Sequence, residues 1–332
     1  MQLSQLIELG GKRAKRVSAA SLDTKLANWN YEATRIAVLT EVTRSFINVL
    51  AAQEHVELAK KLENVAQRAA LVASERAQAG KTASIDKTKA DVELATSRIH
   101  SGKARRSLTA AKNRLAALWG GKRVVFEKAE GDFYDVKPAP SESEVIGFIS
   151  RNPDIARWDA EMERLRAAES LEKAKGVPDV TIQGGARIFS ETASNAFTVG
   201  LSVPLPIFDR NQGAYLEARF NLTKAAEERK AAKIRIRAAL DEAYQALLSA
   251  YEEIVALEAD VLPGADEVFA VTSEGYRQGK FAYLEVLDAQ RVLFETEGRR
   301  IDALAAYHLA RTEVEKLTGT PIDSIQSSPN NE

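Results

Sequence analysis

One long helical unit occurs twice in this chain, and the two copies stay in register over most of their length. Leu3-Ser4-Gln5-Leu6-Ile7-Glu8-Leu9 opens the first copy. Leu201-Ser202-Val203-Pro204-Leu205-Pro206-Ile207 opens the second, 198 positions later. Each copy runs through a helical stretch to a glycine-lysine break, Gly80-Lys81 and Gly279-Lys280. Each closes with a shorter helix, ending in Leu118-Trp119-Gly120 and Leu317-Thr318-Gly319. Breaks and ends are both 199 positions apart. This pattern predicts a duplicated, elongated, mainly α object rather than a compact enzyme.

The repeat divides the sequence. Residues 1–120 form a first repeat (strand, long helix, return helix) and 121–152 a connector rich in proline and acid. Residues 153–319 form the second repeat, and 320–332 a polar, disordered tail. Within the first repeat, residues 1–9 fit one strand, and Gly10-Gly11 turns the chain into a helix from Lys12 to Ala79. Gly80 interrupts it, and the return helix spans Ser84 to Leu118. In the second repeat Asn152-Pro153-Asp154 reads as a helix start, with Asn as cap and Pro in the first turn. That helix stops near Gly176 and Pro178.

A hairpin covers residues 180–205. Val180, Ile182, Gly184, Ala186 and Ile188 alternate with Thr181, Gln183, Gly185, Arg187 and Phe189. The polar turn 190–195 follows, and the return strand runs from Phe197 to Leu205. Strands of roughly 9–10 residues cross a bilayer core when tilted. Pro204 and Pro206 end the hairpin where ladder donors are no longer needed.

The next helix is predicted over 211–276 with a kink at Pro263; at about 1.5 Å per residue it is on the order of 100 Å long. Leu240, Ala243, Leu247, Ala250, Ile254, Leu257 and Val261 fall at alternating spacings of three and four, a coiled-coil seam. Val42, Val49, Ala52 and Val56 are in step with Leu240, Leu247, Ala250 and Ile254. The return helix covers 283–318. Small residues such as Ala225, Ala226, Ala231, Ala232, Ala238 and Ala239 permit close helix approach and suit a hollow cylinder of coiled pairs or a thin rod.

Composition removes several alternatives. The 46 basic and 47 acidic residues nearly cancel, so total charge gives no reason to expect nucleic acid. Cysteine is absent, which excludes disulfides and thiolate metal sites. No uninterrupted apolar run of 18 residues occurs, which speaks against a membrane helix but not against a β-barrel. No nucleophile-base set or phosphate loop is recognisable, and no cofactor is expected. His55, His100 and His308 lack the spacing of a metal-binding motif.

Three runs carry a resemblance. Leu201 to Gly213, reading through Pro204, Pro206, Asp209 and Arg210, resembles the strand-to-helix junction of the TolC-like outer membrane efflux proteins. Tyr276-Arg277-Gln278-Gly279-Lys280-Phe281-Ala282-Tyr283-Leu284-Glu285-Val286-Leu287-Asp288-Ala289-Gln290-Arg291 is similar to their second hairpin, and Ala306 to Gly319 to their closing helix. Gln5 to Arg13, with Gly10 and Gly11, resembles the branch serving cobalt, zinc and cadmium efflux.

The resemblance spans residues 3–319. It implies a homotrimer whose strands join a shared 12-stranded barrel in outer-membrane lipid, with the long helices forming a periplasmic α-barrel. It also implies a periplasmic adaptor and an inner-membrane pump of the resistance-nodulation-division type as partners. Each subunit of the family gives four strands, whereas this sequence offers three and begins without a signal peptide, so a missing natural N-terminus is expected.

By that resemblance Arg76, Gly80, Lys81, Ser84, Tyr276, Arg277, Gly279, Lys280 and Tyr283 form the adaptor-docking tip. Exposed basic and aromatic groups suit recognition; the plainer reading is that these glycines only end helices. Asp288 and Arg291 are gate candidates, against ordinary helix-surface pairing at about 0.2–0.5 kcal/mol. The implied activity is passive conduction out of the periplasm, with metal cations favoured as cargo over organic compounds. The alternative function is a coiled-coil scaffold without a channel, which leaves the 180–205 hairpin without a purpose.

Overall fold

The computed structural model describes residues 1–80, 83–121, 124–189 and 194–326. They fall into two units, each contributed by both repeats. The first comprises Met1–Arg35 and Ile149–Ala238, the second Ile36–Phe148 and Ala239–Glu332.

The first unit is organised around a sheet. Strands β1 (Gln2–Ile7), β2 (Val180–Phe189) and β3 (Ser194–Ser202) pair antiparallel in the order β1-β2-β3. Gln2 lies opposite Gly185 and Ile7 opposite Val180; Thr181 lies opposite Ser202 and Phe189 opposite Ser194. Because side chains alternate along a strand and opposed residues share a face, this register sorts the sheet cleanly. One face carries Leu3, Ile7, Val180, Ile182, Ala186, Phe197, Val199 and Leu201, interrupted by Gln5. The other carries Gln2, Ser4, Thr181, Gln183, Arg187, Thr198 and Ser202, interrupted by Leu6. The apolar face is open: Leu3 is 71% exposed, Phe197 85% and Val199 89%. β3 starts earlier than the sequence indicated and ends at Ser202, two residues short of Pro204. The central turn residues, 190–193, lie outside the described residues.

Helix α4 (Pro153–Lys175) begins as predicted: the Asn152 side chain accepts the Asp154 N–H at 2.7 Å, and Pro153 occupies the first turn. Helices α1 (Lys12–Gln78) and α5 (Gln212–Ala256) enter both units.

In the second unit the predicted seams supply the core up to Leu257; Val261, expected to continue the seam, is 44% exposed because a π-helical turn shifts it off that face. Val49, Val56, Leu240, Leu247 and Ile254 are all buried, four of them at 2% exposure or less. Each buried leucine or isoleucine of this kind contributes about 1.5–3 kcal/mol. Helix α2 (Ser84–Ala117) returns after Gly80. The connector contains a short helix, α3 (Glu142–Gly147), started by a capping box between Ser141 and Glu144, and a 3₁₀ turn follows at Ile149–Arg151.

The connector is tied down by side chain to backbone bonds. Gln53 exchanges two with Ala129, at 2.8 and 2.9 Å. Tyr307 exchanges two with Lys137, at 2.8 and 3.0 Å. The Tyr244 hydroxyl donates to the Pro140 carbonyl at 2.9 Å.

Two expectations change here. The second long helix is interrupted ahead of Pro263, by a π-helical turn at Leu257–Val261, before α6 (Leu262–Gln278) continues. Helix α7 (Tyr283–Thr318) follows, and the supposed tail then folds over Ile322–Gln326 into a last short helix, α8. Its Ile322 and Ile325 are buried at 4% and 1% exposure, apolar contacts that hold a segment too short to show a period. Residues 327–332 lie outside the described residues. No described helix is long and apolar enough to cross a membrane.

Candidate functional site at the hairpin tip and the strand-helix junction

At the tip, Gly80 and Gly279 have φ of +67° and +79°. This left-handed conformation costs residues with a Cβ about 1 kcal/mol or more, which is why both reversals fall on glycine. Gly279 closes α6 through its N–H to Tyr276 O, and Lys280 N–H reaches Gly275 O at 2.8 Å.

Arg76, in the last turn of α1, links the two hairpins. Its Nη1 donates to the carbonyls of Tyr276 at 2.7 Å and Arg277 at 3.0 Å. Its guanidinium lies 4.9 Å from the Tyr276 ring centroid. A cation at these last-turn carbonyls also meets the negative end of the α6 dipole. In the second copy the matching position is Gly275, and Phe281 occupies the space its missing side chain leaves. A Cβ there would lie 2.1 Å from the Phe281 ring.

The two tyrosines correct the sequence reading. Tyr276 and Tyr283 are not exposed recognition groups: they are 5% and 1% exposed and pack with Ala70, Ala73, Ala90 and Val286. Their rings lie 5.4 Å apart. The reason is alanine: small residues on α1 and α2 leave room for aromatic rings from the other hairpin. Burial pushes both phenols above their ordinary range, so they stay neutral. Neither hydroxyl has a hydrogen-bond partner among the described residues. Gly80, Ser84, Arg277, Gly279 and Lys280 remain at the surface, with Arg277 paired to Glu274 at 2.6 Å. Lys81 lies outside the described residues.

Asp288 and Arg291 bond to each other at 2.7 Å, and Arg291 also faces Glu295 at 3.7 Å. All three are on α7 and about two-thirds exposed, the geometry of a surface pair. Of the histidines, His55 bonds Asp302 at 3.0 Å and His308 bonds the Phe133 carbonyl at 2.9 Å. His100 lines a groove that His55 also borders.

The strand-helix junction is a second polar centre. Gly10 and Gly11 both have positive φ, +69° and +70°, and lead into α1. Pro204 and Pro206 follow the end of β3. Asp209 Oδ1 accepts the Asn211 N–H at 2.8 Å, and Arg210 N–H donates to Gln212 Oε1 at 2.7 Å.

Sequence reasoning missed the residues that bind these pieces together. Asn211, at φ +62°, donates to both the backbone carbonyl and the carboxylate of Glu172 at 2.8 Å. Asp179 accepts from Leu9 N–H at 3.0 Å and from the buried Lys12 at 2.7 Å. The available signal was the Asp-x-Asn run at a helix start, since Asn tolerates the left-handed region.

The described chain combines a duplicated pair of helical hairpins with a sheet whose apolar face is bare, the fold class of the outer membrane efflux channels. The family model for outer membrane efflux proteins matches residues 1–121 and 148–320. The chain belongs to that family. It is 36% identical over 318 residues to the cobalt-zinc-cadmium resistance protein CzcC of Cupriavidus metallidurans, covering 96% of this chain and 76% of that one. The nickel and cobalt resistance protein CnrC of the same organism is 26% identical over 254 residues, 76% of this chain and 58% of its own length. Among solved structures, CusC superposes with a TM-score of 0.83 at 18% identity, covering 96% of this chain and 76% of that one.

Proposed function

We propose that this protein is the outer-membrane conduit of a tripartite efflux system that carries heavy-metal cations from the periplasm to the exterior. The observation that carries the reading is the bare apolar face of the β1-β2-β3 sheet, with its polar reverse. Lipid on one side and water on the other is the environment that removes the cost of exposing Leu3, Phe197, Val199 and Leu201. β2 and β3, of 10 and 9 residues, have the length to span. Open sheet edges are not tolerated in lipid, so the β1 and β3 edges need strand partners beyond this sheet, which favours assembly into a homotrimer.

The long helices of the two repeats, 1–120 and 153–319, then form the periplasmic tunnel. The tip surface of Gly80, Ser84, Arg277, Gly279 and Lys280 docks the adaptor, which joins the channel to a pump of the resistance-nodulation-division type. Metal cargo is favoured by likeness to CzcC and CnrC, whose names specify cobalt, zinc, cadmium and nickel.

A host strain lacking this protein, loaded with zinc, cobalt or cadmium and separately with an organic dye, tests the reading. Metal retention that is reversed by restoring the protein supports it. Dye retention alone would reassign the cargo. Unchanged retention of both would remove the conduit reading.

A further inference from the structure

The repeat keeps two registers, and the place where one gives way to the other is visible. Buried positions of the long helices match at 198: Val49 with Leu247, Val56 with Ile254, Ala59 with Leu257. Beyond that the register is 199: buried Ala66 matches Ala265, the exposed turn glycines Gly80 and Gly279 match, and on the return helices buried Ala90 matches Ala289. Six residues separate Ala59 from Ala66, and seven separate Leu257 from Ala265. The second copy therefore holds one extra residue, between Leu257 and Ala265.

The π-helical turn at Leu257–Val261 occupies that interval. Leu262 N–H donates to Leu257 O, five residues back, the bond that defines a π turn. A π turn is how a helix absorbs one extra residue without rotating the helix beyond it. Its neighbour Pro263 has no N–H, so the Ala259 carbonyl has no α-type donor. In the first copy α1 passes through the same interval as unbroken helix. Packing is thin around the turn: Glu258, Ala259 and Asp260 are exposed, and nothing lies within 4 Å of a Cβ built on Gly264. An open groove of about 550 Å³ adjoins it, bordered by Leu262, Pro263, Asp266, Leu293 and Glu297. The exposed Glu258–Arg300 pair, at 2.8 Å, spans from the turn to α7.

We infer that Leu257–Val261 houses a one-residue insertion and is the bending point of the second long helix. The inference stands on register and backbone geometry and does not depend on the cargo or the docking partner.

Amide hydrogen exchange on the full chain in mild detergent, corrected for intrinsic rates, tests it. Amides 258–262 and 264 are expected to exchange at least about tenfold faster than amides 60–65. Deleting Ala259 should slow them to the first copy's rate and leave the tip amides of Gly279 and Lys280 unchanged. Inserting an alanine after Lys61 should bring fast exchange to the first copy. Equal exchange in the two copies of the parent protein would overturn the bending point. A deletion variant that fails to fold would overturn the insertion, and the parental comparison would still judge the bending point.

Discussion

Replacing Arg76 by alanine removes the link between the hairpins, and its effect can be worked from the contacts. Two hydrogen bonds from a charged donor are lost, at 2.7 and 3.0 Å. A bond of that type contributes about 1.5–3 kcal/mol when shielded, but water replaces most of the one to the exposed Arg277 carbonyl. The guanidinium–Tyr276 contact adds roughly 0.5–1 kcal/mol. Together the tip loses about 2–3 kcal/mol of resistance to local opening, or roughly a 30- to 150-fold change in the opening constant. The amides to watch are Gly279, which bonds the same Tyr276 carbonyl as Arg76, and Lys280, which bonds Gly275. Hydrogen exchange should accelerate at both by that factor. Arg76→Lys, which keeps charge but not the two-pronged donor, should fall between. Exchange within about threefold of the parent protein in Arg76→Ala would refute the link.

Three further outcomes are expected. Leu247→Ala in the seam, where Leu247 is 1% exposed, should cost about 2–5 kcal/mol in thermal or denaturant unfolding, whereas Leu216→Ala at a 48% exposed position should cost little. Burial holds His308 below its ordinary range, so the unfolded chain binds the extra proton first. Its contribution is fully present above the unfolded value of 6.5 and is lost as pH falls from there through the folded one. Acidification through that window should loosen the connector around Phe133, and His308→Gln should flatten the dependence, read by exchange at residues 132–135. Tyr134 donates to Glu54, and burial with that bond pushes its phenol up to about 12. A difference absorbance titration should show fewer phenolates forming between pH 10 and 11 in the parent protein than its eight tyrosines imply, Tyr134 being one of the late group with Tyr244, Tyr276 and Tyr283, and Tyr134→Phe should leave the count in that window unchanged.

The duplication, the long helices and the two glycine reversals were legible because they rest on local chemistry and on spacing. Gly80 and Gly279 need no tertiary information to mark a turn, and the alternation from Val180 marks a strand on its own. The burial of Tyr276 and Tyr283 was not legible. It depends on Ala70, Ala73 and Ala90 arriving from the other hairpin, and an aromatic beside a turn reads equally well as exposed. The junction bonds of Asn211 to Glu172 and of Lys12 to Asp179 join residues 39 and 167 positions apart. Such pairs leave no periodic trace. The change from 198 to 199 was present as a number, but only burial of matched positions locates it beside Leu257.

The most direct test of the conduit is imaging of the particle extracted from membranes in mild detergent. The account predicts three copies around one axis, their helices forming a hollow cylinder and their sheets joined into one closed barrel. A monomeric or dimeric rod recovered without membrane association would contradict it.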